Sequence, residues 1–283
     1  MNEENIPLDK LEALVEAPVF LLGMPRSGTT WLSQIFESAP EVLMRLSPNY
    51  SYALKNKLDG KSEVEDWREC LRQAVNSNQD PFMTQNWRRE KGELEWIEKD
   101  FSIIERLFIK DTRFFDLYLR SVELFKDAKI AFIIRHPCGH LNSWRKSKEF
   151  PAGKDFLSHW RDGAGRRSEG PGEYWGFDDW KRAARMFLEA QASRPDQVLV
   201  FRYEDLVASP IETTSTLFDF MNLKMSEEVA SFLKRSHSRH DSNVFSVFRS
   251  PEVAQSWRSE LPDEVKIEVM NDIMDTDLAR YIR

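Results

Sequence analysis

With 283 residues, 41% of them hydrophobic, 31% charged and 12% aromatic, the chain has a folded globular composition, which excludes the disordered and fibrous classes. Its 40 Lys and Arg against 47 Asp and Glu leave a formal charge of −7, which argues against non-specific nucleic-acid binding and requires local cations wherever an anion is bound. Two cysteines exclude a disulfide framework, no Cys/His cluster suggests a metal, and no apolar run approaches the ~18–20 residues of a membrane span.

An acidic N-terminus without a basic n-region and apolar h-region adds to this, so the expectation is a reduced, cytoplasmic chain forming one domain over 1–283. Leu8, Leu11, Leu14 and Val15 then set out a short amphipathic helix. Val19 to Leu22 form an unbroken apolar run, as in a strand buried on both faces of a parallel sheet. The loop that follows, Gly23-Met-Pro-Arg26-Ser27-Gly28, enters a helical pattern at Thr29 and Thr30 that ends near Pro40. Gly28 permits close approach of an anion, and the free N–H groups of the first helical turn face it. Compared with a Walker A loop, the glycines are correctly spaced, but Thr29 stands where the lysine belongs and the cation, Arg26, lies inside the loop. A nucleoside triphosphate needs that lysine and a metal, whereas a cation inside the loop suits a shorter 5′-terminal group.

Residues 41–100 are polar and helical in pattern, with Tyr50, Tyr52, Trp67, Phe82, Trp87 and Trp96 either packing the core or lining a pocket. Arg106 to Lys110 reads as a second strand, with Asp111 and Thr112 as caps of a helix from Phe114 to Phe125. Ala128 to Arg135 is a third strand, turned by His136-Pro137 into a helix of about 139–147 that carries Ser143. The glycine-rich stretch 150–178 predicts a mobile surface loop. A helix from Asp178 to about Ser193 leads to a fourth strand, Gln197 to Arg202, which runs into Tyr203-Glu204-Asp205, and the remainder is helical apart from a polar stretch near 237–251. Strands alternating with helices predict an α/β fold of three layers, a mostly parallel sheet covered on both faces. Ligands of such sheets bind beyond the C-terminal strand ends, where Arg26, Lys110, Arg135 and Tyr203 fall.

The stretch RSGTTWL resembles the 5′-phosphosulfate loop of the sulfotransferases, which take sulfate from 3′-phosphoadenosine-5′-phosphosulfate (PAPS) and release PAP. IIRHPCGHLNSW resembles the family's 3′-phosphate motif, with Arg135 and Ser143 at its two positions, and VLVFRYEDLVASP resembles the strand ending in RYEDL. The resemblance runs in order from about 18 to 260, with 41–100 and 150–178 as acceptor-facing insertions. It implies that Arg26, Ser27, Gly28, Thr29, Thr30, Trp31, Arg135, Ser143 and Tyr203 bind PAPS, with Trp31 stacking on the adenine and Tyr203 near it. Trp31 is equally suited to core packing. The family's RKG triplet is absent, so Arg249 is the stand-in for its phosphate-binding arginine, with Arg258 as the alternative.

In-line transfer of the sulfuryl group to a small-molecule hydroxyl or amine relies on positioning and electrostatic stabilisation. The implied catalytic residues are Arg26 at the leaving group, Lys110 at the sulfuryl group and Asp111 as base. The familiar bases are missing: Thr112 occupies the position of the cytosolic members' histidine, and Arg45-Leu46-Ser47-Pro48 the region of the tyrosine sulfotransferases' glutamate. Asp111 is equally placed as a helix cap, and His136 and His159 are further candidates. Two competing readings are a non-catalytic 3′-phosphoadenosine nucleotide-binding protein and a P-loop kinase.

Overall fold

The apolar runs fold as strands of one parallel sheet in a computed structural model that describes residues 6–164, 172–238 and 251–282. In chain order they are β1 (Val19–Gly23), β2 (Val42–Leu46), β3 (Arg106–Asp111), β4 (Lys129–Ile134) and β5 (Val198–Arg202). Their order across the sheet is β2-β3-β1-β4-β5, and every neighbouring pair is parallel. The helices are α1 (Leu8–Glu16), α2 (Thr29–Glu37), α3 (Val64–Asn76), α4 (Asn86–Glu90), α5 (Phe115–Leu124), α6 (Pro137–Arg145) and α7 (Phe156–His159). They continue as α8 (Gly176–Ser193), α9 (Tyr203–Ala208), α10 (Pro210–Phe220), α11 (Glu227–Ser238), α12 (Trp257–Glu260) and α13 (Asp263–Ile273).

Side chains alternate across a strand, and the two faces of this sheet build two cores. Phe20, Leu22, Ile109, Phe132 and Ile134 join the larger one with residues of α1, α3, α5, α6, α8 and α13. Val19, Leu21, Phe108, Ala131 and Ile133 join the other with α2, α10 and α11. The three-layer α/β architecture expected from the sequence is therefore present, with a sheet parallel throughout.

Three local expectations are corrected, and the aromatics of 41–100 divide between core and surface. The helical pattern of 41–100 hides β2, because Arg45 interrupts its apolar run; buried to 4% exposure, that arginine donates to the carbonyls of Ala74 and Val75 in the last turn of α3. Of the aromatics there, Trp67 is fully buried and Phe82 packs on the core, while Tyr50, Tyr52, Trp87 and Trp96 are exposed. Asp111 does not cap α5; Phe114 precedes that helix, and Asp111 closes β3. The described end 172–178 is not a surface loop, since Tyr174, Trp175 and Phe177 are buried, whereas 152–155 at the other end are exposed. Gly176, at φ +79°, starts α8 against Gly163, whose amide nitrogen a Cβ at Gly176 would approach to 2.5 Å. Gly163 and Gly176 thus serve tight packing.

Strand order also selects the site. From β1 the chain leaves toward β2 on one side, and from β4 it leaves toward β5 on the other. The loops after β1 and β4 therefore diverge and open a crevice at their C-terminal ends, the usual ligand position in such sheets.

Candidate active site

The loop after β1 forms a tight turn, with the Ser27 amide donating to Met24 O at 3.1 Å. Arg26 sits at φ +71°, a left-handed conformation that costs a non-glycine residue about 1–3 kcal/mol and clusters at functional sites. Gly28 follows at φ +89°, where a Cβ would lie 2.5 Å from the Tyr203 ring. Only glycine lets the tyrosine close over the loop. Thr29 opens α2, so the first amides of that helix have no intrahelical acceptor and its positive end faces the crevice.

The far wall is β4 and α6. The turn His136-Pro137 starts α6, with the His136 ring accepting from the Cys138 amide and proline in the first turn. Ser143, two turns on, accepts from Arg26 Nε at 3.2 Å. Arg135, 7% exposed, donates to Arg26 O at 3.0 Å and lies 4.8 Å from the centre of the Tyr203 ring. Trp180 of α8 holds the Arg135 carbonyl at 3.0 Å, and the Glu204 carboxylate accepts from the His136 amide at 3.0 Å. Arg26, Gly28, Arg135, Ser143 and Tyr203, drawn from four separate segments, are thereby brought together. Among the described residues Arg135 has no carboxylate within ion-pair distance, and Arg135 Nε and Ser27 Oγ are buried without a hydrogen-bond partner. Buried polar atoms without partners are rare and mark places where a ligand completes the set.

On the other side of β1 lie the ends of β2 and β3. Ser47, at φ +38°, donates its amide to Lys110 O at 2.9 Å. Asp111 is fully buried and accepts from the Thr112 and Arg113 amides at 2.7 and 3.0 Å and from the Tyr118 hydroxyl at 2.8 Å. Burial raises its carboxyl from the ordinary range. Arg113 donates to Glu173 at 2.6 Å and stacks 4.2 Å over Tyr50; Glu173 also holds the Trp175 indole at 2.6 Å. Arg88 of α4 pairs with Glu93 at 3.0 Å. Lys110 is 7% exposed, and burial, reinforced by Arg88, pulls its amine down to about 7.

Other named residues fall elsewhere. Trp31 is half-buried on α2 and donates to Ser236 of α11 at 3.0 Å. The His136 ring stacks 4.2 Å from Trp257 and is held down to about 3 by burial, with Arg258 and Arg202 adding to the effect. His159 lies on α7 beside Asp162. Arg249 lies outside the described residues. Arg258 is exposed over Trp257 at 4.8 Å. Reading the chain alone missed Arg88, Arg113 and Glu173, since the Arg113–Glu173 pair spans 60 residues and has no local pattern. Glu204, beside Tyr203 in the RYEDL motif, had a signal that went unused.

A parallel sheet with an anion-suited loop at its central strand, and arginines rather than a Walker lysine around it, defines a P-loop-like group-transfer protein. The family model described as the sulfotransferase family matches residues 18–227, and the chain belongs to that family. Its fold is similar to a mouse sulfotransferase complexed with PAP, at 16% identity over 98% of this chain and 94% of that one, with a TM-score of 0.52. It is also similar to the sulfotransferase domain of the curacin biosynthetic pathway (16% identity, 93% and 98% covered, TM-score 0.51). A third is retinol dehydratase in complex with androsterone and inactive cofactor PAP (16%, 98% and 84%, TM-score 0.52). No curated protein sequence matches the chain.

Proposed function

We propose that this protein is a PAPS-dependent sulfotransferase that sulfates a hydroxyl or amine of a small-molecule acceptor in the cytoplasm, with residues 1–283 acting as one domain. The observation that carries the reading is Arg135, a buried guanidinium that among the described residues has a partnerless Nε and no carboxylate, bonded to the backbone of a strained loop. The residues fit the donor: Ser27, Thr29, Thr30 and the first amides of α2 would hold the 5′-phosphate, and Arg135 with Ser143 the 3′-phosphate. Trp31 and Tyr203 would flank the adenine. PAPS supplies the sulfuryl group that the acceptor receives. Arg26 stabilises charge on the departing 5′-phosphate; as an arginine it acts by hydrogen bonding and charge and keeps its proton. Lys110 faces the sulfuryl group from β3, and Asp111 holds the β3–α5 turn instead of moving a proton, since both its oxygens are engaged by local donors. Cys70 and Cys138, both free and buried, suit a reducing compartment.

The test is incubation with PAPS labelled in the sulfate and a panel of phenols, alcohols and amines, with and without EDTA. Labelled product in both arms supports the reading. PAP binding without product from any acceptor would favour a non-catalytic binding protein, and an EDTA-sensitive transfer from ATP would favour a kinase.

A further inference from the structure

Lys110 is a titratable side chain of the strand-end rim that has no hydrogen-bond or ion-pair partner among the described residues. Its Cα is in register with Leu21 of β1, and Phe108, two residues earlier, packs on Phe36 of α2 with ring centres 4.8 Å apart. The strand period sends Lys110 from the same face, toward the first turn of α2. Among the described residues its Nζ makes no hydrogen bond and no ion pair, although only 7% of the residue is exposed. Of the two carboxylates that act on the amine, Asp111 is held by two amides and Tyr118, and Glu149 makes no ion pair with it among the described residues. The charged groups acting on the amine are Arg88 and Arg113, which disfavour its ammonium form, and Asp111 and Glu149, which favour it. Burial disfavours the ammonium, and the neutral amine keeps a lone pair that can accept a proton.

We infer that Lys110 is the proton acceptor of the reaction, its neutral amine filling the role left open by Thr112 and by the fully engaged Asp111. The inference rests on the sulfuryl-transfer reading. The acceptor oxygen or nitrogen forms its bond to sulfur as the bond from sulfur to the 5′-phosphate oxygen breaks, and the electron pair of that bond stays on the phosphate. The acceptor's proton passes to Nζ, which becomes an ammonium beside the new negative charge and later returns the proton to water. Burial has already drawn this amine to about 7, where a base is most effective near neutral pH.

Two measurements test this. In ligand-free protein carrying [ε-13C]lysine, the signal lost in Lys110→Arg should titrate near pH 7; a midpoint near the ordinary lysine value, about 10, would overturn the inference. With PAPS and a phenol, kcat/KM of the unaltered protein should fall below about pH 7, and Glu149→Gln should move that limb to lower pH by removing a charge that favours the ammonium. Lys110→Arg keeps the positive charge but cannot accept a proton, so it should bind PAP within about threefold of the original while losing about 10²–10⁴-fold in kcat/KM. The loss should be smaller for more acidic phenols. An arginine variant with near-normal rate and an unchanged acidic limb would overturn the assignment. If the unaltered protein sulfates nothing, the sulfotransferase reading falls first, whatever the lysine titration shows.

Discussion

The two halves of the strand-end rim handle their cations differently. Left of β1, at the ends of β2 and β3, Arg88 and Arg113 each meet a carboxylate, Glu93 and Glu173, at 3.0 and 2.6 Å. Right of β1, where the loops after β1 and β4 diverge, Arg26 reaches a serine hydroxyl and Arg135 a backbone carbonyl and a tyrosine ring. Pairing with a carboxylate satisfies an arginine and makes it scaffold; among the described residues Arg135 instead bonds to a neutral group, which leaves its charge available to a ligand. The proposed roles of the arginines on the two sides follow from that difference. Lys110 stands at the border, on β3 but without an ion-paired carboxylate among the described residues.

Breaking the left half should cost stability. Glu173→Gln leaves Arg113 buried without its counter-charge and should destabilise the fold by about 3–5 kcal/mol, read as a lower urea midpoint, with PAP affinity unchanged in the folded protein. A large loss of PAP affinity with normal stability would erase the distinction between the halves. On the right, Arg26→Ala should lower turnover by about 10²–10³-fold while PAP affinity falls far less, because its contact strengthens as charge develops on the leaving group. Unchanged turnover would remove it from the mechanism.

Arg135→Ala should weaken PAP binding by about 2–3 kcal/mol, a charge-assisted contact, and weaken the analogue lacking the 3′-phosphate much less; calorimetry on both ligands decides it. Equal losses would make Arg135 a structural strut. The smallest effect is expected from Gly28→Ala, which adds left-handed strain of about 1–2 kcal/mol and pushes on the Tyr203 ring. PAP affinity should fall about tenfold, and a Tyr203→Ala background should recover part of that loss if the ring contact contributes to it.

Much of this was legible before folding. The uninterrupted apolar runs of β1 and β4 have no polar alternation to confuse them, and the cations that follow each run announce their positions at strand ends. Arg26, Arg135, Ser143 and Tyr203 were named from separate segments, and they do meet. Where reading failed, a long-range partner had reversed a local rule. Arg45 breaks the β2 pattern because the carbonyls that satisfy it belong to α3, and the glycines of 150–178 read as a loop although Gly172 packs against the distant Phe114 and Gly163 against Trp175.

The sequence by itself determined the layer architecture, the anion loop and the identity of the cations around it, because each is written in local order: strand period, helix start, glycine at a left-handed turn. Tertiary structure alone decided which cations are neutralised. A salt bridge between residues 60 positions apart depends on how β3 and the segment before α8 cross, and the burial of Lys110 without an ion pair among the described residues depends on how β3 packs against its neighbours.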